Sequence, residues 1–143
     1  MSGETSALAP NYTGHCLCAA VKVEVVAQPK WVSHCHCPSC QKATSAAFAT
    51  YVGFERGAVR FIANEPKVFK SSPGVVRRFC ADCGSPVSFE GEAWPGEIHL
   101  HASFLDQAKD IMPEGHTFVK NQLPWVKLDD ALPRLETFPR DEK

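Results

Sequence analysis

The chain has 143 residues, 44% of them hydrophobic and 22% charged, with a formal net charge of -1. That is one domain's length and enough to bury a real core. The near-neutral charge gives no electrostatic case for nucleic acid or an anionic membrane as partner, and no apolar stretch approaches the roughly 20 residues needed to span a bilayer.

In chain order, residues 1–12 are polar and read as a flexible segment, which leaves a single domain over residues 13–143. Residues 1–14 lack the basic start and apolar run of a signal peptide, so a cytoplasmic location is expected. Residues 20–26 alternate, with Val21, Val23 and Val25 on one face and Lys22 and Glu24 on the other, which predicts a strand. Pro29 interrupts, and residues 31–35 read as a short strand. Pro38 suits the first turn of a helix over residues 39–44. The small, aromatic and β-branched residues 46–54 predict a buried strand. Residues 59–62 and 68–70 read as a strand pair joined through Asn64-Glu65-Pro66, and Pro73-Gly74 marks a turn. Residues 75–80 and 87–90 flank a Cys-rich turn of zinc-knuckle type. Residues 97–103 alternate again. Beyond Asp106, Pro113, Pro124, Pro133 and Pro139 predict an extended tail laid over the core and held by Phe118, Trp125 and Leu128. Strands dominate, so the fold class is mainly β with few short helices.

The seven cysteines form three clusters: Cys16 and Cys18, then Cys35, Cys37 and Cys40, then Cys80 and Cys83. Disulfides are the plain alternative. An odd count leaves one thiol over, a bridge within C-x-C is strained, and reduced thiols are the rule in the cytosol. Zinc fits better, because it takes a tetrahedral sulfur shell. Two pairs make one closed four-thiolate site, as a structural zinc uses. The triplet has three ligands and an open fourth position, as a catalytic zinc uses. The competing reading of the triplet is a second structural zinc completed by another side chain, for which His34 and His36 are the nearest candidates. On a strand they would point to the face opposite Cys35, and a supporting or surface role is the plainer reading. His99 and His101 could share one face, but a solvent-facing strand edge explains their spacing equally.

The stretches Gly14-His15-Cys16-Leu17-Cys18, Cys35-His36-Cys37-Pro38-Ser39-Cys40-Gln41-Lys42, Phe79-Cys80-Ala81-Asp82-Cys83-Gly84-Ser85-Pro86 and Pro124-Trp125-Val126-Lys127-Leu128-Asp129-Asp130-Ala131-Leu132-Pro133 run over nearly the whole chain. In them the sequence resembles the glutathione-dependent formaldehyde-activating enzymes, whose fold is shared with centromere protein V. The resemblance implies a mainly antiparallel, tent-like, zinc-binding β fold with two zinc sites. Cys16, Cys18, Cys80 and Cys83 match the structural site, and Cys35, Cys37 and Cys40 the catalytic one. It implies a carbon–sulfur lyase joining a small thiol such as glutathione to formaldehyde as S-hydroxymethylglutathione, or cleaving that adduct. Ala19 stands where the family usually has Gly, and Gln41 where it often has Arg. The family pattern therefore speaks more firmly for the metal ligands than for the thiol.

Lys42, Arg77 and Arg78 are candidate partners for substrate carboxylates, against the plainer reading of a solvated strand face. Trp31, Phe48, Trp94 and Trp125 could wall a pocket, although core packing is the common role of large aromatics in a small β domain. Glu90, Glu92 and Glu97 show no acid/base spacing. Two other classes of protein fit the cysteine pattern: a non-enzymatic zinc module that binds a protein partner, and a redox thiol protein.

Overall fold

The computed structural model describes residues 9–137. Two sheets make up the fold. β1 (Tyr12–His15), β2 (Lys22–Val25) and β5 (Val59–Phe61) form a three-stranded antiparallel sheet in the order β1-β2-β5. β3 (Trp31–Cys35), β4 (Ala49–Glu55), β6 (Lys67–Ser72), β7 (Val75–Phe79), β8 (Pro86–Gly91), β9 (Glu97–His101) and β10 (His116–Thr117) form a seven-stranded sheet in the order β10-β3-β4-β9-β8-β7-β6. All neighbours in it are antiparallel except β10 and β3, which run parallel. One α-helix, α1 (Pro38–Thr44), follows β3 among the described residues. The mainly β class expected from the sequence is what the chain adopts.

The alternating valines of β2 explain the principal core. Val21, Val23 and Val25 are buried and meet Val32, Val52, Phe54, Ile98 and Leu100 from the large sheet. Burying each such side chain stabilises the fold by about 1.5–3 kcal/mol before entropic costs. On the large sheet the register sorts residues by parity. Val32, Val52 and Leu100 pair across the strands on the core face, while Ser33, Tyr51 and His101 pair on the other.

Several expectations change in the folded chain. Part of the segment expected to be flexible is ordered: Asn11 N–H bonds Val25 C=O at 2.8 Å, and Tyr12 opens β1. Residues 1–8 and 138–143 lie outside the described residues, and with them most of that segment. Residues 59–62 and 68–70 do not pair with each other. β5 joins β2, where Val25 opposite Val59 places apolar side chains toward the core, whereas β6 joins β7. All six residues of β6 are exposed, as suits the edge strand it forms. Pro73-Gly74 closes the β6–β7 hairpin with Gly74 at φ 76°, the left-handed angle a type II turn needs. β9 sits in the middle of the large sheet, not at a solvent-facing edge, so His99 is buried between β4 and β8.

The tail does lie over the core, but Trp125 does not hold it, being 68% exposed. Backbone hydrogen bonds hold it instead. His116 N–H bonds Pro133 C=O at 2.8 Å, and Leu135 N–H returns to His116 C=O at 2.8 Å. His36 N–H bonds Thr117 C=O at 3.0 Å. The His116 ring is 1% exposed, stacks on His34 at 4.6 Å and lies 3.0 Å from His36 Nε2. Its Nε2 donates to the Asp130 carboxylate, which can only accept, at 3.0 and 3.2 Å.

The β1–β2 turn carries Ala19 at φ 67°. This is the left-handed region, which costs an L-residue with a Cβ roughly 1 kcal/mol and Gly nothing. Ala19 thus holds a backbone angle that glycine would adopt without this cost. Ala19→Gly is expected to raise unfolding stability by about 1 kcal/mol. Denaturant melts of the metal-loaded protein check this, and an unchanged or lower midpoint would count against strain at this turn.

Candidate metal centres and the cleft beside them

Two turns bring four sulfurs together. Cys16 and Cys18 sit between β1 and β2, and Cys80 and Cys83 between β7 and β8, so the group ties the small sheet to the large one. Cys18 Sγ lies 3.7 Å from both Cys16 Sγ and Cys80 Sγ. A tetrahedron of sulfurs about a zinc ion at ~2.3 Å has edges of about 3.8 Å, so these separations match a metal shell. Each turn aims backbone donors at sulfur. Val21 N–H bonds Cys16 Sγ at 3.3 Å, and the Asp82 and Cys83 N–H groups both bond Cys80 Sγ at 3.4 Å. Gly84 adopts φ 78° and its N–H closes the second turn on Cys80 C=O at 2.8 Å.

The triplet is local. β3 delivers Cys35, Cys37 caps α1 by accepting from Cys40 N–H at 3.2 Å, and Cys40 follows in the first turn. The three ligand atoms lie within 4.8 Å of one another, and no histidine or carboxylate among the described residues joins them. His34 bonds Thr50 Oγ1 at 2.8 Å and His36 turns to His116, so neither completes the set. Gln41 spends its amide on the chain itself, donating to His36 C=O at 2.7 Å and Asn121 C=O at 3.1 Å. It pins the triplet loop to the tail and offers no cation.

Crowding divides the protons within each group. Hydrogen bonds from the Cys35 and Cys40 side chains pull Cys37 down to about 3, while contacts with Cys37 and Cys40, then burial, push Cys35 upward. In the four-sulfur group the Ser85 hydroxyl leads in drawing Cys83 down to about 5. Cys18 has the Ala20 backbone favouring its thiolate, yet desolvation and the adjacent sulfurs push it up to about 12. Sulfurs this close do not all ionise unless a cation joins them, and binding a metal would release the remaining protons. Both groups can hold a metal ion.

One residue with no sequence signal, Tyr51, completes the triplet's surroundings together with Arg77. Tyr51, 4% exposed, donates its hydroxyl to Cys40 Sγ at 3.4 Å, and Arg77 Nη1 donates to the Tyr51 oxygen at 3.3 Å. Burial, followed by the neighbouring Cys40, raises the phenol's pKa, so it remains a proton donor to the sulfur. Tyr51 looked like one more core aromatic of a buried strand. Only the β3–β4 register, which places it on the same sheet face as Cys35, reveals its role.

The triplet opens into a cleft of about 720 Å³ whose walls include Trp31, Phe89, Trp94 and Arg77. Of the four aromatics considered from sequence, Trp31 and Trp94 line it. Phe48 packs instead on His34 and His36, and Trp125 is exposed. Of the three cations, Arg77 lines the cleft, bonded to Tyr51 and Ser71 and lying over the Phe89 ring. Arg78 pairs with Glu90. Lys42 lines a separate depression of about 590 Å³ together with both arginines.

The model of the family described as glutathione-dependent formaldehyde-activating enzyme matches residues 11–121. The chain belongs to this family. The matched span contains all seven cysteines of both centres. A curated but uncharacterized lyase of Schizosaccharomyces pombe is 31% identical over 80 residues. That match spans 56% of this chain and 58% of the relative. A crystal structure of a Rhodobacter sphaeroides protein matches with a TM-score of 0.56 at 16% identity. It covers 85% of this chain and 98% of that one, which supports the fold alone. The two cysteine groups are consistent with zinc binding in the glutathione-dependent formaldehyde-activating family.

A metal in the four-sulfur group would bridge the two sheets, whereas one in the triplet would bridge only a loop. Cys83→Ser is therefore expected to abolish the cooperative melt, and Cys37→Ser to keep it. Thermal scans read by circular dichroism check this, and equal loss in both would remove the distinction. A second expectation concerns His101, whose pKa burial and then the Arg77 charge depress to about 4. The unfolded ring titrates near 6.5, so as pH falls from 6.5 toward 4 the unfolded state takes up a proton that the folded state refuses, and stability is lost. Between pH 7 and 5.5, His101→Gln should lose about 1 kcal/mol less stability than the parent, by denaturant unfolding. Equal losses would place that pH dependence elsewhere.

Proposed function

We propose that this protein is a zinc-dependent carbon–sulfur lyase acting on a thiol–aldehyde adduct, with S-hydroxymethylglutathione formation or cleavage as the prototype. The observation that carries the reading is the triplet: three sulfurs joined by no fourth protein ligand among the described residues, at the edge of a cleft large enough for a small molecule. Cys35, Cys37 and Cys40 would hold the catalytic zinc. Cys16, Cys18, Cys80 and Cys83 would hold a structural one.

In the forward direction a C–S bond forms between the thiol sulfur and the aldehyde carbon, and the thiol proton ends on the former carbonyl oxygen. Zinc, when bound, supplies Lewis acidity that lowers a thiol's pKa or polarises a carbonyl. The chain's own residues position and tune. The Tyr51 hydroxyl bond draws charge from Cys40, and Arg77 fixes that hydroxyl. Half-buried Trp31 and Phe89 beside the triplet limit water at the sulfurs. The reading places the protein in the cytoplasm, where thiols stay reduced, with a small thiol as partner and neither nucleic acid nor membrane.

Protein prepared without chelator should carry one to two zinc ions per chain, with the triplet ion lost first on mild chelation. In the cobalt-substituted protein a small thiol should shift the thiolate charge-transfer bands. Cys37→Ser should abolish that shift while the bands of the four-sulfur site persist. Absence of any thiol response, together with formaldehyde–thiol adduct exchange unaffected by the protein, would sink the lyase reading and leave a zinc-binding interaction module.

A further inference from the structure

The cleft beside the triplet has a wall that the prototype adduct does not require. Gly53 has no side chain, and a Cβ there would meet Trp31 Cε2 at 2.4 Å, so the indole lies directly on the sheet. Glu97 Oε1 accepts from Trp31 Nε1 at 3.2 Å and lies 3.0 Å from His99 Nε2. His99 in turn contacts Trp31 at 4.4 Å, Trp94 at 5.3 Å and Phe89 at 5.4 Å between ring centres. The rings are thereby held in fixed orientations. Trp31, Phe89 and Trp94 are nonetheless only half-buried, so they present a broad aromatic surface to the cleft. Trp31 and Phe89 pack with Cys35 and Cys37 against the same Cys40–Ala49–Tyr51 cluster, which sets that surface next to the sulfurs.

The charges point the same way. Arg77 is the guanidinium lining the cleft, and two of its five donors are engaged, Nε by Ser71 and one on Nη1 by Tyr51. Two carboxylates, Glu97 and Glu114, line the cleft as well. A thiol with two carboxylates would meet one cation already bonded to Tyr51 and Ser71, and two carboxylates, Glu114 and the Lys30-paired Glu97, while Gln41 adds no cation. We infer that this cleft selects a thiol or thiol adduct bearing an aromatic or comparably large apolar group close to its sulfur, in preference to a polyanionic thiol. The inference rests on the proposed role of the triplet in binding a thiol.

The test titrates cobalt-substituted protein with benzyl mercaptan, 2-mercaptoethanol and glutathione, following the thiolate bands of the triplet. Benzyl mercaptan should bind at least tenfold more tightly than either of the others. Trp94→Ala should cut its advantage over 2-mercaptoethanol by fivefold or more, and Trp94→Phe should restore most of it. Comparable affinities for all three thiols, or tightest binding of glutathione, would overturn this inference while leaving the thiol-binding role intact. No response to any thiol would remove both. The ranking in the unsubstituted sequence decides the matter even if Trp94→Ala does not fold.

Discussion

The joining of the two sheets and the candidate site both depend on how close the sulfurs are brought. Cys18 stands 3.7 Å from sulfurs of both turns in the four-sulfur group, and the triplet's sulfurs lie within 4.8 Å of one another. At such spacing full ionisation is prohibitive without a cation, and this shows in the divided behaviour of Cys37 and Cys35 and of Cys83 and Cys18. Proton loss, metal binding and folding are thereby linked in one equilibrium. The four-sulfur group lies where two sheets must be joined, so its occupancy bears on the whole fold. The triplet lies in one loop, so its occupancy bears on the cleft.

The large sheet separates these tasks by parity. One face carries Val32, Val52 and Leu100 into the core. The other carries Tyr51 and His99 toward the cleft and His101 toward the neighbouring depression. Because strand side chains alternate, a register slip of one residue would exchange the two sets and destroy core and site together. The buried histidines are the cost of this arrangement. Burial holds His99 and His101 below their usual pKa, so they serve at neutral pH as uncharged aromatic spacers.

The tail closes the structure at the β3 edge of the large sheet, where it also lines the cleft. Its strand β10 pairs in parallel with β3, putting Thr117 beside Cys35, and the His116 ring bridges His36 to Asp130. The residue between two triplet cysteines is thus fixed by a segment some 80 positions away. Gln41 makes a second tie to the same segment. These contacts explain how a proline-rich stretch without periodic pattern can be ordered, since backbone bonds and one buried ring do the work that an apolar stripe does elsewhere.

The sequence by itself determined what short-range spacing can determine. Cysteine pairs two or three residues apart can bring their sulfurs together within a single local turn. The alternation around Val23 must give a strand with one apolar face. Pro38 beside Cys37 must favour a helix start, and Pro73-Gly74 a turn. Counting ligands extended this to the grouping of the two distant pairs, and the family resemblance agreed with it. Tertiary structure alone decided what depends on register and strand order. That β5 joins β2 and not β6, that β9 is central so that His99 is buried, and that Tyr51 reaches Cys40 all follow from which strands are neighbours. The partnership of His36, His116 and Asp130 and the exposure of Trp125 are of the same kind. Local propensity carries no information about such pairings, because their energy comes from contacts between residues far apart in the chain.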